Sequence, residues 1–70
     1  MLLSLSPVGE ISRIKAIWAE AHIMNILEEA GIAVDCEVYV RLKTYDDVLI
    51  VDVNGKRMAI GGELARKIIL

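Results

Sequence analysis

From Val48 to Ile60, apolar and polar residues alternate on both sides of an Asn-Gly pair: Val48-Leu49-Ile50-Val51-Asp52-Val53 before it and Lys56-Arg57-Met58-Ala59-Ile60 after it. Both residues of such a pair tolerate the positive φ of a two-residue type I′ loop, so the stretch predicts a β-hairpin with a fixed register. Val53 then faces Lys56, Asp52 faces Arg57, Val51 faces Met58, Ile50 faces Ala59 and Leu49 faces Ile60. Side chains alternate across a strand, which puts Leu49, Val51, Val53, Met58 and Ile60 on a core face. Asp52 and Arg57 share the outer face, where their pairing supports the register and contributes at most ~0.2–1 kcal/mol. A second alternation sets Cys36, Val38, Val40 and Leu42 against Glu37, Tyr39, Arg41 and Lys43 and predicts a half-buried strand. Between the two lies a polar turn, Thr44-Tyr45-Asp46-Asp47, whose Asp side chains can bond nearby backbone amides.

The pattern from Glu10 to Ala30 admits two readings. Ile11, Ile14, Ile17, Trp18, Ala21, Met24 and Leu27 follow helical spacing and suggest one helix of about twenty residues, closed by Gly31. The same residues are compatible with a bulged strand over Glu10 to Ile17 followed by a short helix over Ala21 to Ala30. Before this segment, Met1 to Leu5 reads as an extended lead-in and Ser6-Pro7-Val8-Gly9 as a turn. After the hairpin, Gly61-Gly62 ends the strand, Glu63 to Lys67 suits one helical or 3₁₀ turn, and Ile68-Ile69-Leu70 a final strand pairing with the beginning of the chain. Four or five short strands plus a helix bury their apolar faces most simply by curling into a small barrel.

Composition sharpens this picture. The 70 residues make one domain, spanning 1–70, near the lower size limit for a self-sufficient core. A hydrophobic share of 56% meets that demand, and its surplus over what so small a body can bury implies a homo-oligomer or a docking face for a larger partner. No apolar run approaches the roughly 20 residues that span a bilayer, and no signal peptide opens the chain, so the expectation is a cytoplasmic protein without membrane insertion. The single cysteine, Cys36, excludes an internal disulfide framework. A net charge of −2 without a Lys/Arg cluster argues against nucleic acid, and Tyr39 alone offers no stacking platform.

Catalytic chemistry has little to stand on. The only histidine, His22, has no evident relation to Ser4, Ser6, Ser12 or Cys36, so no nucleophile has a base. Cys36 reads as a small buried hydrophobe on its strand, and His22 as a surface or helix-end residue. Neither C-x-x-C nor H-x-x-x-H spacing supplies a tetrahedral metal set, so no metal site and no cofactor is expected. Asp46-Asp47 and Glu28-Glu29 read as solvated carboxylates, Lys56-Arg57 and Arg66-Lys67 as solvated basic doublets. Gly61-Gly62 lacks the further glycine and lysine of a phosphate loop. Trp18 is either a core residue or an anchor in a partner contact.

Taken together, the motifs resemble the FeoA family, the small cytoplasmic component of the Feo ferrous-iron transport system, over nearly the whole chain. Leu3-Ser4-Leu5-Ser6-Pro7-Val8-Gly9-Glu10 is similar to the family's opening Leu-x-x-Leu-x-x-Gly, and Arg13-Ile14-Lys15-Ala16-Ile17 to its first strand. Ile26-Leu27-Glu28-Glu29-Ala30-Gly31-Ile32 resembles its Leu-Leu-Glu-Leu-Gly-Leu segment, and Ala59 to Ile68 its closing strand, turn and last strand. The chain departs from the pattern in two places. Ala21-His22-Ile23-Met24-Asn25 carries no positive charge where the family commonly has Arg or Lys, and Val34-Asp35 stands where it tends to have Pro-Gly, a pair that favours a different turn.

The resemblance implies a mainly β fold, a small SH3-like barrel of about five short strands with one helix inserted after the first strand. It implies a non-enzymatic accessory role in ferrous iron uptake, with a FeoB-type membrane transporter bearing a cytoplasmic GTP-binding domain as partner. The contact surface expected on this chain is the helix, through His22, Met24, Asn25, Ile26, Glu28 and Glu29, together with Trp18. The alternative is a metal-sensing domain related to the C-terminal domain of DtxR-type metalloregulators.

Overall fold

The hairpin forms in the register its sequence dictates, and the rest of the main sheet is laid against it. A computed structural model describes residues 1–70. Strand β4 (Val48–Val53) pairs antiparallel with β5 (Lys56–Gly61), with Val53 opposite Lys56, Asp52 opposite Arg57 and Leu49 opposite Ile60. Asn54 and Gly55 take φ of 50° and 84°, as a type I′ loop requires. Strand β3 (Glu37–Lys43) adds to the other side of β4, and β1 (Ile11–Arg13) to β3, giving the order β1-β3-β4-β5. A separate pair joins β2 (Ala16–Ile17) to β6 (Ile68–Ile69). The protein is thus mainly β, with six short strands in two sheets that do not close by hydrogen bonding into a continuous barrel.

Between Glu10 and Ala30 the strand-plus-helix alternative holds, in a modified form. The strand is broken into β1 and β2, which serve different sheets, and helix α1 (Ala21–Glu29) follows the second of them. The break lies at Ile14, which is 1% exposed and whose N–H and C=O bond Cys36 and Asp35. The helical spacing of Ile11 through Leu27 therefore comes from two short strands and the buried Ile14 between them, which happen to fall in phase with a later helix. Gly31 does end α1. The Ile32 N–H reaches Leu27 C=O and the Gly31 N–H reaches Glu28 C=O, a Schellman arrangement that needs the φ of 88° at Gly31 and packs Ile32 with Leu27 in the core.

Four expectations are corrected. Met1 to Leu5 is not extended, because Leu3–Leu5 forms a 3₁₀ turn that drives Leu3 into the core at 0% exposure. Leu42 leaves the core face and is 47% exposed, since a bulge at Arg41 shifts the β3 register between Val40 and Leu42 by one residue. Cys36 packs against the core as its strand face predicts but is only half-buried, with Sγ 3.3 Å from Asn54 Nδ2 and 3.5 Å from the Gly31 carbonyl. In the turn before β4 it is Thr44 Oγ1, not an Asp carboxylate, that accepts the amides of Asp46 and Val48. The Val34-Asp35 pair still makes a turn, the Cys36 N–H bonding Ala33 C=O, because Asp35 accepts the left-handed φ of 73° that glycine would otherwise supply.

The core is thirteen buried apolar side chains drawn from every part of the chain, including Leu3, Ile14, Leu27, Val38, Val40, Leu49, Val51, Val53, Ile60 and Ile68. Helix α2 (Gly62–Ala65) seals one end through Ala65, and the Leu2–Ile69 bridge brings the last strand to the beginning of the chain. One polar atom is out of place. Ser6, 1% exposed, has a hydroxyl with no hydrogen-bond partner. Ser6→Ala removes that unsatisfied group without a large cavity, so it is expected to stabilise the fold by ~1 kcal/mol, read as a shifted urea midpoint at unchanged m-value.

Candidate functional site

The outer face of α1 is a surface the fold leaves unpartnered. The helix lies against the core through Leu27, with Ile23 packed beside it, and these positions recur at helical spacing. On the opposite face His22, Asn25, Ile26 and Glu29 follow one another at i, i+3, i+4 and i+7, all exposed, with Ile26 58% accessible. Glu28 is exposed on the flank, and Met24 is half-buried there. Six of the seven expected contact residues are therefore solvent-facing, and Met24 is only partly so.

Trp18 decides between its two readings. It is 71% exposed, so it is not a core residue. Its backbone is nonetheless fixed, the N–H bonding Lys67 C=O at 2.8 Å, which ties the β2–α1 connection to the segment before β6. The ring therefore stands in water at the start of the connection to α1, on a fixed backbone. Beside the helix, Ile23, Leu64, Gly61, Glu63 and Lys67 line an open cleft of about 400 Å³. The cleft residues of the β5–α2 end were not legible as a site, because Leu64 and Lys67 are some forty positions from Ile23 and only the tertiary fold brings them together.

Glu20, Glu28 and Glu29 lie on or beside α1, where the sequence from Ala16 to Glu29 carries no Lys or Arg, and Lys67 lines the cleft beside Ile23. His22 Nδ1 sits 3.4 Å from the Glu20 carboxylate with both side chains largely in water. No three His, Cys, Asp or Glu side chains are grouped as a metal site would need.

A second charged cluster lies on the outer face of the main sheet. Asp52 accepts from Arg41 Nε at 2.7 Å and from Arg57 Nε at 3.4 Å, and the Arg41 guanidinium stands 5.4 Å above the Tyr39 ring. The hairpin register anticipates the Arg57 contact; the closer Arg41 partner comes from β3 on the other side of β4. Desolvation pushes the Asp52 carboxyl up, but hydrogen bonds and charge from Arg41, then Arg57, outweigh it and hold the pKa below the usual value. A depressed native pKa stabilises the fold above the unfolded carboxylate's pKa and is lost as pH falls through the native one. Asp52→Asn is therefore expected to lower stability at pH 7 and to have a smaller effect below about pH 3, as measured by paired thermal melts.

The FeoA domain model matches residues 1–70, the whole chain. The chain belongs to the FeoA family. No curated protein sequence is matched. Among solved structures, the FeoA protein from Chlorobium tepidum superposes with a TM-score of 0.89 at 21% identity, over 99% of this chain and 67% of that one. FeoA of Stenotrophomonas maltophilia, solved with zinc and described as a prokaryotic SH3 domain protein and a suggested ferrous-iron transport activating factor, gives 0.81 at 24% identity, over 99% and 87%. A manganese-dependent transcriptional repressor also matches, with a TM-score of 0.89 at 17% identity over 97% of this chain but only 39% of its own. The likeness to these solved structures is one of fold, which the description of the Stenotrophomonas protein gives as an SH3 domain. No helix in it is long and apolar enough to cross a membrane.

Proposed function

We propose that this chain is a non-enzymatic accessory protein of ferrous iron transport, docking from the cytoplasm on a FeoB-type membrane transporter with a GTP-binding domain. Its two sheets act as the halves of an SH3-like barrel, a scaffold that presents Trp18 and the outer face of α1. The observation that carries this reading is Trp18 itself, 71% exposed at the root of a helix whose outer face has no partner, in a chain that is FeoA-like throughout. Aromatic anchors beside shallow clefts are where interface energy concentrates. His22, Asn25, Ile26, Glu28 and Glu29 supply the rim around it, and Met24 the edge nearest the core. The carboxylates of Glu20, Glu28 and Glu29 favour a basic contact on the transporter.

The test is calorimetric titration of the folded protein into the transporter's purified cytoplasmic domain. Saturable binding with a Kd of roughly 1–100 μM, in the range of small regulatory contacts, is the expected result. Absence of heat or of NMR shift changes at millimolar concentration overturns the reading.

A further inference from the structure

Asn54 is exposed at the tip of the hairpin, yet both polar atoms of its side-chain amide are held. Oδ1 accepts the Glu37 N–H at 3.0 Å, and Nδ2 donates to Cys36 Sγ at 3.3 Å. The Cys36 thiol carries the line on to the Gly31 carbonyl at 3.5 Å. Asn54 also donates its own N–H to Glu37 C=O at 2.9 Å, so this residue extends the β3–β4 ladder one step beyond its last strand pair, Val38 with Val53. The turn itself asks only for the positive φ that Asn54 and Gly55 adopt, and the grip of β3 on the amide comes in addition. Beside the held amide the Gly55 N–H is exposed and donates no hydrogen bond within the chain. Gly55 has no Cβ to shield its nitrogen.

We infer that Asn54 is a deamidation site that the folded chain holds shut through Glu37 and Cys36. In an Asn-Gly pair an unhindered backbone nitrogen stands within reach of the amide carbon of the residue before it. The Gly55 nitrogen, after giving its proton to hydroxide, attacks Asn54 Cγ. The Cγ–Nδ2 bond then breaks, and ammonia leaves with a proton taken from water, which restores the hydroxide. The five-membered imide so formed takes up water at one of its two carbonyl carbons and opens to Asp or to isoAsp. Closing that ring turns Cγ onto the Gly55 nitrogen and draws Oδ1 and Nδ2 away from β3, so both hydrogen bonds must break first. The opening step is a local release of the hairpin tip from the start of β3. The products do not fit the closed state. Asp has no N–H to give Cys36, and isoAsp adds a backbone atom to a loop whose two-residue length sets the β4–β5 register. None of the residues involved belongs to the surface assigned to transporter docking.

The test incubates the full chain, folded and held unfolded in concentrated urea, in the same mildly alkaline reducing buffer, and follows Asp and isoAsp at position 54 by peptide mass spectrometry. The unfolded chain should lose Asn54 at least ~10-fold faster than the folded one, the effect of two hydrogen bonds that the reaction must break. Cys36→Ala takes away the acceptor of Nδ2 and should raise the folded-state rate ~2- to 10-fold. Glu37→Pro removes the N–H that holds Oδ1, at the first residue of its strand where proline is tolerated, and should raise it by a similar factor. Urea unfolding curves run on each variant give its unfolded fraction, and the rise in rate should exceed what that fraction contributes. If one variant fails to fold, the other and the wild-type comparison carry the test. Equal rates in folded and unfolded wild type overturn the inference, as does a folded variant of either kind that keeps the wild-type rate or whose increase is accounted for by its unfolded fraction.

Discussion

Leu27→Ala is expected to lower the stability of the domain by ~2–5 kcal/mol, the cost of emptying a buried leucine site that cannot fully collapse. Leu27 is 3% exposed and is the one residue of α1 that is fully buried, so it is the main anchor of the helix on the core, with Ile23 packed beside it. It also makes the apolar contact with Ile32 that accompanies the Schellman turn, so its loss loosens the end of the helix as well. A domain of 70 residues has only ~4–10 kcal/mol in total to lose. The melting temperature should accordingly fall by ~10–30 °C in a calorimetric scan, and the variant should be partly unfolded at 37 °C. A drop below about 1 kcal/mol would mean that α1 is not docked through this residue. Ile26→Ala, on the other face of the same helix, serves as the control and should change stability by less than about 0.5 kcal/mol.

Trp18→Ala should do the reverse, leaving the fold intact and removing the proposed docking on the transporter. The ring is in water and its backbone bond to Lys67 survives truncation, so stability is expected to change by no more than about 0.5 kcal/mol. Affinity for the transporter's cytoplasmic domain should fall by ~2–4 kcal/mol, or roughly 30- to 1000-fold, the range for an aromatic anchor at the centre of an interface. Calorimetric titration of wild type and variant, with unfolding curves run in parallel, reads both quantities. Wild-type affinity in the Trp18→Ala variant would exclude the ring as the anchor and move the contact to the helix face or to the cleft beside Leu64. The His22 and Glu28 positions, at the rim, are expected to matter by less than about 1 kcal/mol each.

The two variants separate because Leu27 and Trp18 play opposite parts, although both fall on one apolar stripe when the sequence is read at helical spacing. That stripe illustrates where reading along the chain stops. Periodicity weighs an apolar residue the same whether it is covered by a neighbouring strand or left in water. Coverage is decided by residues far away in sequence: Ile14 is buried because Asp35 and Cys36 lock it beneath the sheet, whereas nothing in the chain comes to lie over Trp18.

What the sequence determined by itself is local and short-range. The Asn54-Gly55 pair dictated the hairpin and its whole register, because a two-residue type I′ loop admits only one alignment of the strands that leave it. Gly31 dictated the end of α1, because the chain must turn left-handed there. The order of elements and the family resemblance followed from the same short motifs. The tertiary structure decided the rest. It divided Glu10–Ile17 between two sheets, placed a bulge at Arg41 that turned Leu42 outward, recruited Arg41 to Asp52, and left Trp18 exposed. Each of these depends on which distant backbone and side chain competes for the same hydrogen bond or the same buried volume, and that competition is settled only when the sheets and the helix share one core.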